Sequence, residues 1–429
     1  EKVVGYISRF TNTKVIKALK DGMMFSLPFL MIGSLFLLIA NLPIKSLNTL
    51  VAECGLADIC SQVYSSTFSL MALFTVVGIT YSYLKNDKIS TAVNGALTGL
   101  AAFVLLTPSS KVLENGEAVT GVISKDWTAG QGMIGAIIVG LIVPLVYCWF
   151  LKKNIRIKMP AGVPEGVTNA FSALIPAFVI LTGTAVIHGI CSIGFNTTGM
   201  EIIYKVVQTP LQKMTDSLGG AVLMCFTGPF LWFFGVHGST VVGGIMTGLL
   251  QANSLANQAI IDSGVELTIA NGGHIVTQQF YDQFINITGA GITIGLVMYM
   301  FFFAKSKQLK ALGKLGIIPA LFGINEPILF GAPVVMNPML AIPFIGMPVI
   351  ACLIQYFALY TGICPLYGAT QIPWTCPPII SGFLLAGWKS ALLQLVILCV
   401  SFFVYLPFIK KIDKMNLVQE KNQPVEDED

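Results

Sequence analysis

The stretch GINEPILFGAPVVMNP, residues Gly323–Pro338, sets a glutamate between an asparagine and a proline in a chain otherwise rich in apolar runs. A carboxylate at membrane depth costs roughly 2.5–3.5 kcal/mol at a helix centre, so Glu326 needs a partner, a watery cavity or a ligand. Pro327 has no backbone N–H and suits a turn or the start of a helix. Gly323 and Asn325 favour a turn as well. The glutamate therefore falls at a chain break, where side chain and backbone could both face a cavity. The plainer reading is a carboxylate capping a helix N-terminus near the surface.

Other residues could share such a cavity. His237, in FFGVHGST, stands between aromatic residues and a Gly-Ser-Thr break, and an imidazole there can donate or accept near neutral pH. Taken alone it reads equally well as a core histidine. Trp374, in ATQIPWTCPPI, is flanked by prolines and by Gln371; its ring suits the apolar C–H face of a sugar, or else anchors the chain at a membrane interface. Asn337, Gln278, Gln279 and Asp282 are weaker candidates consistent with a hydroxyl-rich ligand. His188 reads as structural, and His274 as either a gating or a solvated residue.

The elements that must position these groups are membrane spans. The chain has 429 residues, 55% hydrophobic and 11% charged, with mean hydropathy +0.78. Roughly a quarter of a soluble domain is charged, so this is an all-α polytopic membrane protein. Spans are predicted near Gly22–Pro43, Ser65–Leu84, Ser90–Thr107, Gln131–Leu151 and Phe171–Phe195. Asn115-Gly116, between alternating residues, predicts a small β-hairpin in an outer loop. Val3, Ile7 and Phe10 suit an interfacial amphipathic helix ahead of the first span.

The second half is more broken. Glu201–Leu218 looks amphipathic, Ala221–Leu250 is interrupted near His237, and Gln251–Phe284 is too polar for lipid. Further spans are predicted near Ile287–Ala304, Ala341–Tyr360 and Gly387–Ile409, eight clear crossings at most and ten if two broken segments cross. Non-helical backbone at membrane depth must be buried in protein or line a cavity, and broken segments near the midplane mark transporter sites. The first half thus reads as scaffold and the second as the working part.

Lys2, Arg9, Lys14, Lys17, Lys20, Lys85, Lys88, Lys152, Lys153, Arg156 and Lys158 fall on one side, against Lys45, Lys111 and Lys125 on the other. The positive-inside rule then puts the N-terminus in the cytoplasm, and Lys410, Lys411 and Lys414 put the C-terminus there too. The localisation expected is the cell membrane, with the lipid bilayer as a partner. The basic residues form no stripe suited to nucleic acid. The nine cysteines show no C-x-x-C pair or metal-ligand spacing, although Cys54 and Cys60 share a loop and could be bridged. No phosphate-binding G-x-x-x-x-G-K-[ST] loop is present, and no cofactor or metal is expected.

GINEPILFG followed by APVVMNPML, with the earlier IKMPAGVPEGVTNAFSALIPAF and GVHG (Gly235–Gly238), resembles the membrane-embedded IIC component of sugar phosphotransferase systems. The likeness is to the lactose/cellobiose/diacetylchitobiose branch and covers about residues 1–415. It implies a homodimer with about ten spans and re-entrant hairpins in the C-terminal half. Residues 1–199 would be the scaffold and dimerisation half, 200–415 the sugar-binding transport half, and 416–429 an acidic cytoplasmic tail. The resemblance implies that a β-linked disaccharide is carried inward and phosphorylated at its 6-hydroxyl by a separate cytoplasmic IIB protein bearing a phosphocysteine. Glu326 and His237 would meet that hydroxyl, Asn325 would support them and Trp374 would stack on the sugar; beside this, Gly238, Gln371, Gln279 and Asn337 are expected as further substrate-binding residues. The tail after Lys414 is too short for an appended IIB domain, so the chain would be the membrane subunit of a sugar phosphotransferase and not an enzyme by itself. The competing reading is an ion-coupled sugar symporter with Glu326 as its coupling site. A membrane enzyme acting on lipid-linked sugars would need a metal-binding carboxylate cluster in a cytoplasmic loop, and the sequence has none.

Overall fold

The computed structural model describes residues 13–40, 50–51, 53–112, 117–160, 162–235, 237–332, 334 and 337–422. The expected amphipathic segment at Val3, Ile7 and Phe10 lies outside the described residues. The predicted first span is instead two helices, α1 (Lys14–Met24) and α2 (Leu27–Ala40). Thr13 caps α1, and at the break the Ser26 hydroxyl donates to the Met23 carbonyl at 2.6 Å, satisfying an orphaned helix-end acceptor.

The loop expected around Cys54 and Cys60 is mostly helix. α3 (Leu56–Thr67) passes through a 3-10 turn, Phe68–Leu70, into α4 (Met71–Asn86), a continuous apolar unit of 31 residues. Cys60 is buried on α3, and both thiols are free, so the possible bridge is not made. α5 (Ala92–Leu106), α6 (Met133–Lys152) and α7 (Glu165–Gly189) follow close to their predicted positions, α7 running on through a π-turn. Between α5 and α6, β1 (Ser110–Val112) pairs antiparallel with β2 (Ala118–Thr120), with Lys111 opposite Val119. The turn residues Asn115 and Gly116 lie outside the described residues.

The amphipathic stretch is α8 (Gly199–Ile203), a π-turn, and α9 (Thr209–Asp216). Thr198 and Glu201 form a capping box at its start. Ser217 caps α10 (Leu218–Phe233), and after a break comes α11 (Gly238–Asp262). The span predicted at Ile287–Ala304 is not continuous: a 3-10 turn, Ala290–Ile292, precedes α12 (Ile294–Phe302), and the chain bends by 53° between the segment Gln278–Ile292 and α12. Thr288, Gly289, Gly291 and Ile292 all take positive φ, which ends any helix there. The remaining elements are α13 (Lys307–Leu321), α14 (Glu326–Gly331), α15 (Pro338–Tyr360), α16 (Ile380–Ala386) and α17 (Trp388–Asn422). α17 runs past residue 416, so the start of the expected tail is helical.

Among the described residues, five helices are long and apolar enough to cross a membrane, or six if the bent pair counts as one span. α5 and α10 are shorter apolar helices. One buried apolar cluster draws on Ala221 to Ile409; the other draws mainly on Ala18 to Met200 and reaches across to Ala252, Leu255 and Ala369.

Candidate functional site

The site rests on the polar run that looked unfit for lipid. α11 buries Gln251, Asn253, Ser254, Asn257 and Gln258 on one face, and these side chains serve two stretches of non-helical backbone. Asn253 Nδ2 donates to the Val276 carbonyl at 2.8 Å. Asn257 Nδ2 donates to His274 and Tyr367 carbonyls, both at 2.8 Å, and its Oδ1 accepts from the His274 N–H at 2.7 Å. Gln258 Oε1 accepts from the Ala369 N–H at 3.0 Å. Buried backbone without a helix must find partners inside protein, and here amide side chains supply them. Asp216 adds to this by accepting from the N–H groups of Ile275 and Val276, while its other oxygen meets His274 Nδ1 at 3.2 Å.

The segments so pinned, with the α10–α11 break and the turn before α14, enclose a hollow of about 530 Å³. That lies within the 300–1,000 Å³ typical of small-molecule sites. Its wall includes Trp232, His237, Ser239, Thr247, Gln251, Gln278, Tyr281, Asp282, Asn286, Asn325, Gln371 and Trp374. The N-terminal helices close it with Lys20, Met23, Met24 and Leu30. Apolar rings beside amides, hydroxyls and a carboxylate suit a polar, hydroxyl-rich molecule that also has hydrophobic faces.

His237 is exposed at the α10–α11 break, its ring centroid 4.3 Å from that of Trp232, whose Nε1 donates to Ser239 Oγ at 3.4 Å. Asn325 is only 3% exposed, and its Nδ2 donates to the Ala290 carbonyl at 2.7 Å and to Thr293 Oγ1 at 2.8 Å. This ties the turn before α14 to the turn before α12. Gly289 allows it: its φ is +94°, and a Cβ there would fall 2.4 Å from Asn325 Cγ. Trp374 is 60% exposed and lines the hollow from a loop without helix. Gln371 is held by Gln279, whose Nε2 donates to Gln371 Oε1 at 2.9 Å.

Three predicted site residues do not line the hollow. Gln279 is fully buried behind it, its two amide ends spent on Gln371 and on the Ile372 N–H. Asn337 caps α15, its Oδ1 accepting from the Met339 N–H at 3.0 Å. Gly238 is packed on α10 so tightly that a Cβ would sit 1.8 Å from the Gly228 carbonyl oxygen. Glu326 begins α14 directly after Asn325, and its side chain lies outside what the structure describes. The structure adds Lys20, Tyr281 and Asn286, and strengthens Gln278 and Asp282, which are joined by a 2.9 Å hydrogen bond. Polar residues in a segment too polar for lipid were the available signal for Asp282. Nothing in the sequence separated Lys20 from the other basic residues near the start of the chain.

Residues 20–348 match the family model for the phosphotransferase system EIIC. The chain is 33% identical to the oligo-beta-mannoside-specific EIIC component of Bacillus subtilis, over 99% of this chain and 96% of that one. It is 34% identical to the cellobiose-specific EIIC component of Geobacillus stearothermophilus, over 99% and 95%. It is also similar to the crystal structure of the transporter ChbC, the IIC component of the N,N'-diacetylchitobiose-specific phosphotransferase system. The TM-score is 0.92, with 34% identity over 98% of this chain and 99% of that one. With this match across most of its length, and with apolar helices suited to a bilayer, the chain belongs to the EIIC family of sugar permeases of the phosphotransferase system.

Proposed function

We propose that the hollow binds a β-linked disaccharide such as diacetylchitobiose or cellobiose and carries it inward, where a separate IIB protein phosphorylates its 6-hydroxyl. The observation that carries this reading is the meeting of His237, Asn325, Gln371 and the exposed Trp374 ring around one cavity large enough for two sugar rings. The sugars named for the three relatives all have β-linkages, which favours that class. On this reading His237 and Glu326 orient the 6-hydroxyl and take its proton late in transfer, because phosphoryl transfer depends mainly on positioning and electrostatics. Asn325 fixes the turn from which Glu326 starts, Trp374 stacks on a sugar face, and Gln279 acts on the sugar through Gln371.

The division into a scaffold half (1–199), a transport half (200–415) and a tail (416–429) belongs to the same proposal. So do homodimerisation and the cytoplasmic placement of both termini. The apolar side chains that α7 and its π-turn expose, among them Phe178 and Ile193, suit either lipid or a second copy. The experiment is uptake of labelled cellobiose and diacetylchitobiose into vesicles containing the full chain. Uptake should require the phosphorylated IIB partner and be indifferent to sodium or proton gradients. Gradient-driven uptake of unmodified sugar would establish the symporter reading instead.

A further inference from the structure

Lys20 lines the same hollow but comes from α1, away from the segments that supply His237, Asn325, Gln371 and Trp374. Its position is firmly held. α1 lies so close to α4 that a Cβ on Gly22 would fall 2.4 Å from Ile79 Cα. On its other side α1 meets α11 at Gly244, where a Cβ would lie 3.7 Å from Lys20 Cβ. Lys20 Cβ thus lies at the α1–α11 contact beside a residue without a side chain, and Gly243, Gly244 and Thr247 continue the wall. Its neighbour Lys14 is committed to Asp87 in an ion pair. Among the described residues, Lys20 is the one ammonium in the lining, and none of the ion pairs includes it.

Most lysines near the ends of apolar helices are membrane-surface anchors. A neutral disaccharide offers an ammonium only hydroxyl oxygens, whereas a phosphoryl group also offers charge. It carries close to two negative charges at neutral pH, and in transfer spreads them over three equatorial oxygens, which cationic side chains stabilise.

We propose that Lys20 is the phosphoryl-binding residue of the hollow. This rests on the reading of the hollow as a disaccharide site served by a cysteine-phosphate donor. In the step, the donor's S–P bond breaks and sulfur keeps the electron pair. The bond from the sugar O6 to phosphorus forms, and the hydroxyl proton passes to the imidazole or carboxylate that orients it. Lys20 Nζ donates hydrogen bonds to the phosphoryl oxygens, keeps its own protons, and then holds the 6-phosphate of the product. The scaffold half thereby contributes a group that acts only once the sugar is being phosphorylated.

The test compares wild type, K20Q, K20R and, as a control on the same helix, K17Q, each as the full chain in lipid nanodiscs. Two quantities are read: binding of labelled diacetylchitobiose and cellobiose, and competition of that binding by the 6-phosphate of the same disaccharide. Rates with phosphorylated IIB are measured alongside. K20Q should bind the free sugar within about twofold of wild type, compete with the 6-phosphate at least tenfold less well, and transfer phosphoryl roughly 10²–10³ times more slowly. K20R should recover most of both losses, and K17Q should match wild type. Equal competition by the 6-phosphate in wild type and K20Q overturns the inference. So does parallel loss of free-sugar and phosphate-ester binding in both K20Q and K20R, which would mark a purely structural residue. If the wild-type chain binds no disaccharide, the proposed function fails, and this inference fails with it.

Discussion

Replacing Gly238 by alanine tests how the α10–α11 break delivers His237. A Cβ at this position would lie 1.8 Å from the Gly228 carbonyl oxygen and 2.6 Å from its carbonyl carbon, against backbone that cannot swing aside. Ordinary contact begins near 3.4 Å, so the two helices must part by roughly 1.6 Å at the point where His237 enters the hollow. Overpacking of this kind costs about 1–3 kcal/mol, and a misplacement of about 1 Å can cost on the order of 10²-fold in rate. G238A should therefore lose roughly tenfold to a hundredfold in phosphoryl transfer to diacetylchitobiose, measured with phosphorylated IIB in inverted vesicles. Gly228 itself supplies the control. A Cβ there would meet the Tyr281 hydroxyl at 3.2 Å, far short of the backbone clash at Gly238. G228A should stay within about threefold of wild type. The reasoning is refuted if G238A works at the wild-type rate, or if G228A is damaged as badly as G238A.

Other perturbations act on separate parts of the molecule. Gln279→Met removes the donor to Gln371 and leaves the buried Ile372 N–H without its 2.9 Å acceptor, a cost of about 1–3 kcal/mol; it should lower both the unfolding midpoint and disaccharide affinity by calorimetry, and unchanged affinity would separate Gln279 from the site. Trp374→Ala should weaken disaccharide binding by about 0.5–1.5 kcal/mol, the usual worth of a stacked aromatic contact, whereas Trp374→Phe should keep most of it. Asp87, just beyond α4, accepts from Lys14 and Lys152; burial pushes its carboxyl up, but those bonds outweigh that and hold it at about 2, against an ordinary value of 3.8. Because the folded value is the lower one, the stabilisation is full above about pH 4 and is lost as pH falls towards 2. The gap in melting temperature between wild type and Asp87→Asn should be clear at pH 6 and shrink on acidification; a gap that stays constant down to the lowest pH at which the protein remains folded would refute this.

Much of the architecture was legible because bilayer crossing leaves a strong trace. α4 to α7, α15 and α17 lie where runs of about twenty apolar residues demanded them. The site was partly legible for the opposite reason: His237, Asn325 and Trp374 stand where glycine and proline interrupt such runs. What escaped the sequence depends on contacts between distant segments. The polarity of the run from Gln251 was legible, but its role as hydrogen-bond partner to backbone near residues 274, 276, 367 and 369 has no local signature. Cys60 looked like a loop residue because α3 is only moderately apolar, and its burial comes from neighbouring helices. Lys20 was hidden among anchoring lysines, since only the crossing of α1 and α11 turns it towards the hollow.

A structure of the full chain with bound diacetylchitobiose shows whether the sugar sits where these broken segments converge. The disaccharide is expected against the Trp374 ring, with its 6-hydroxyl within hydrogen-bond distance of His237 or Glu326. Sugar found instead in the separate crevice between Glu266–Ile269 and Tyr360–Leu366, with the hollow beside Trp374 unaltered, would contradict it.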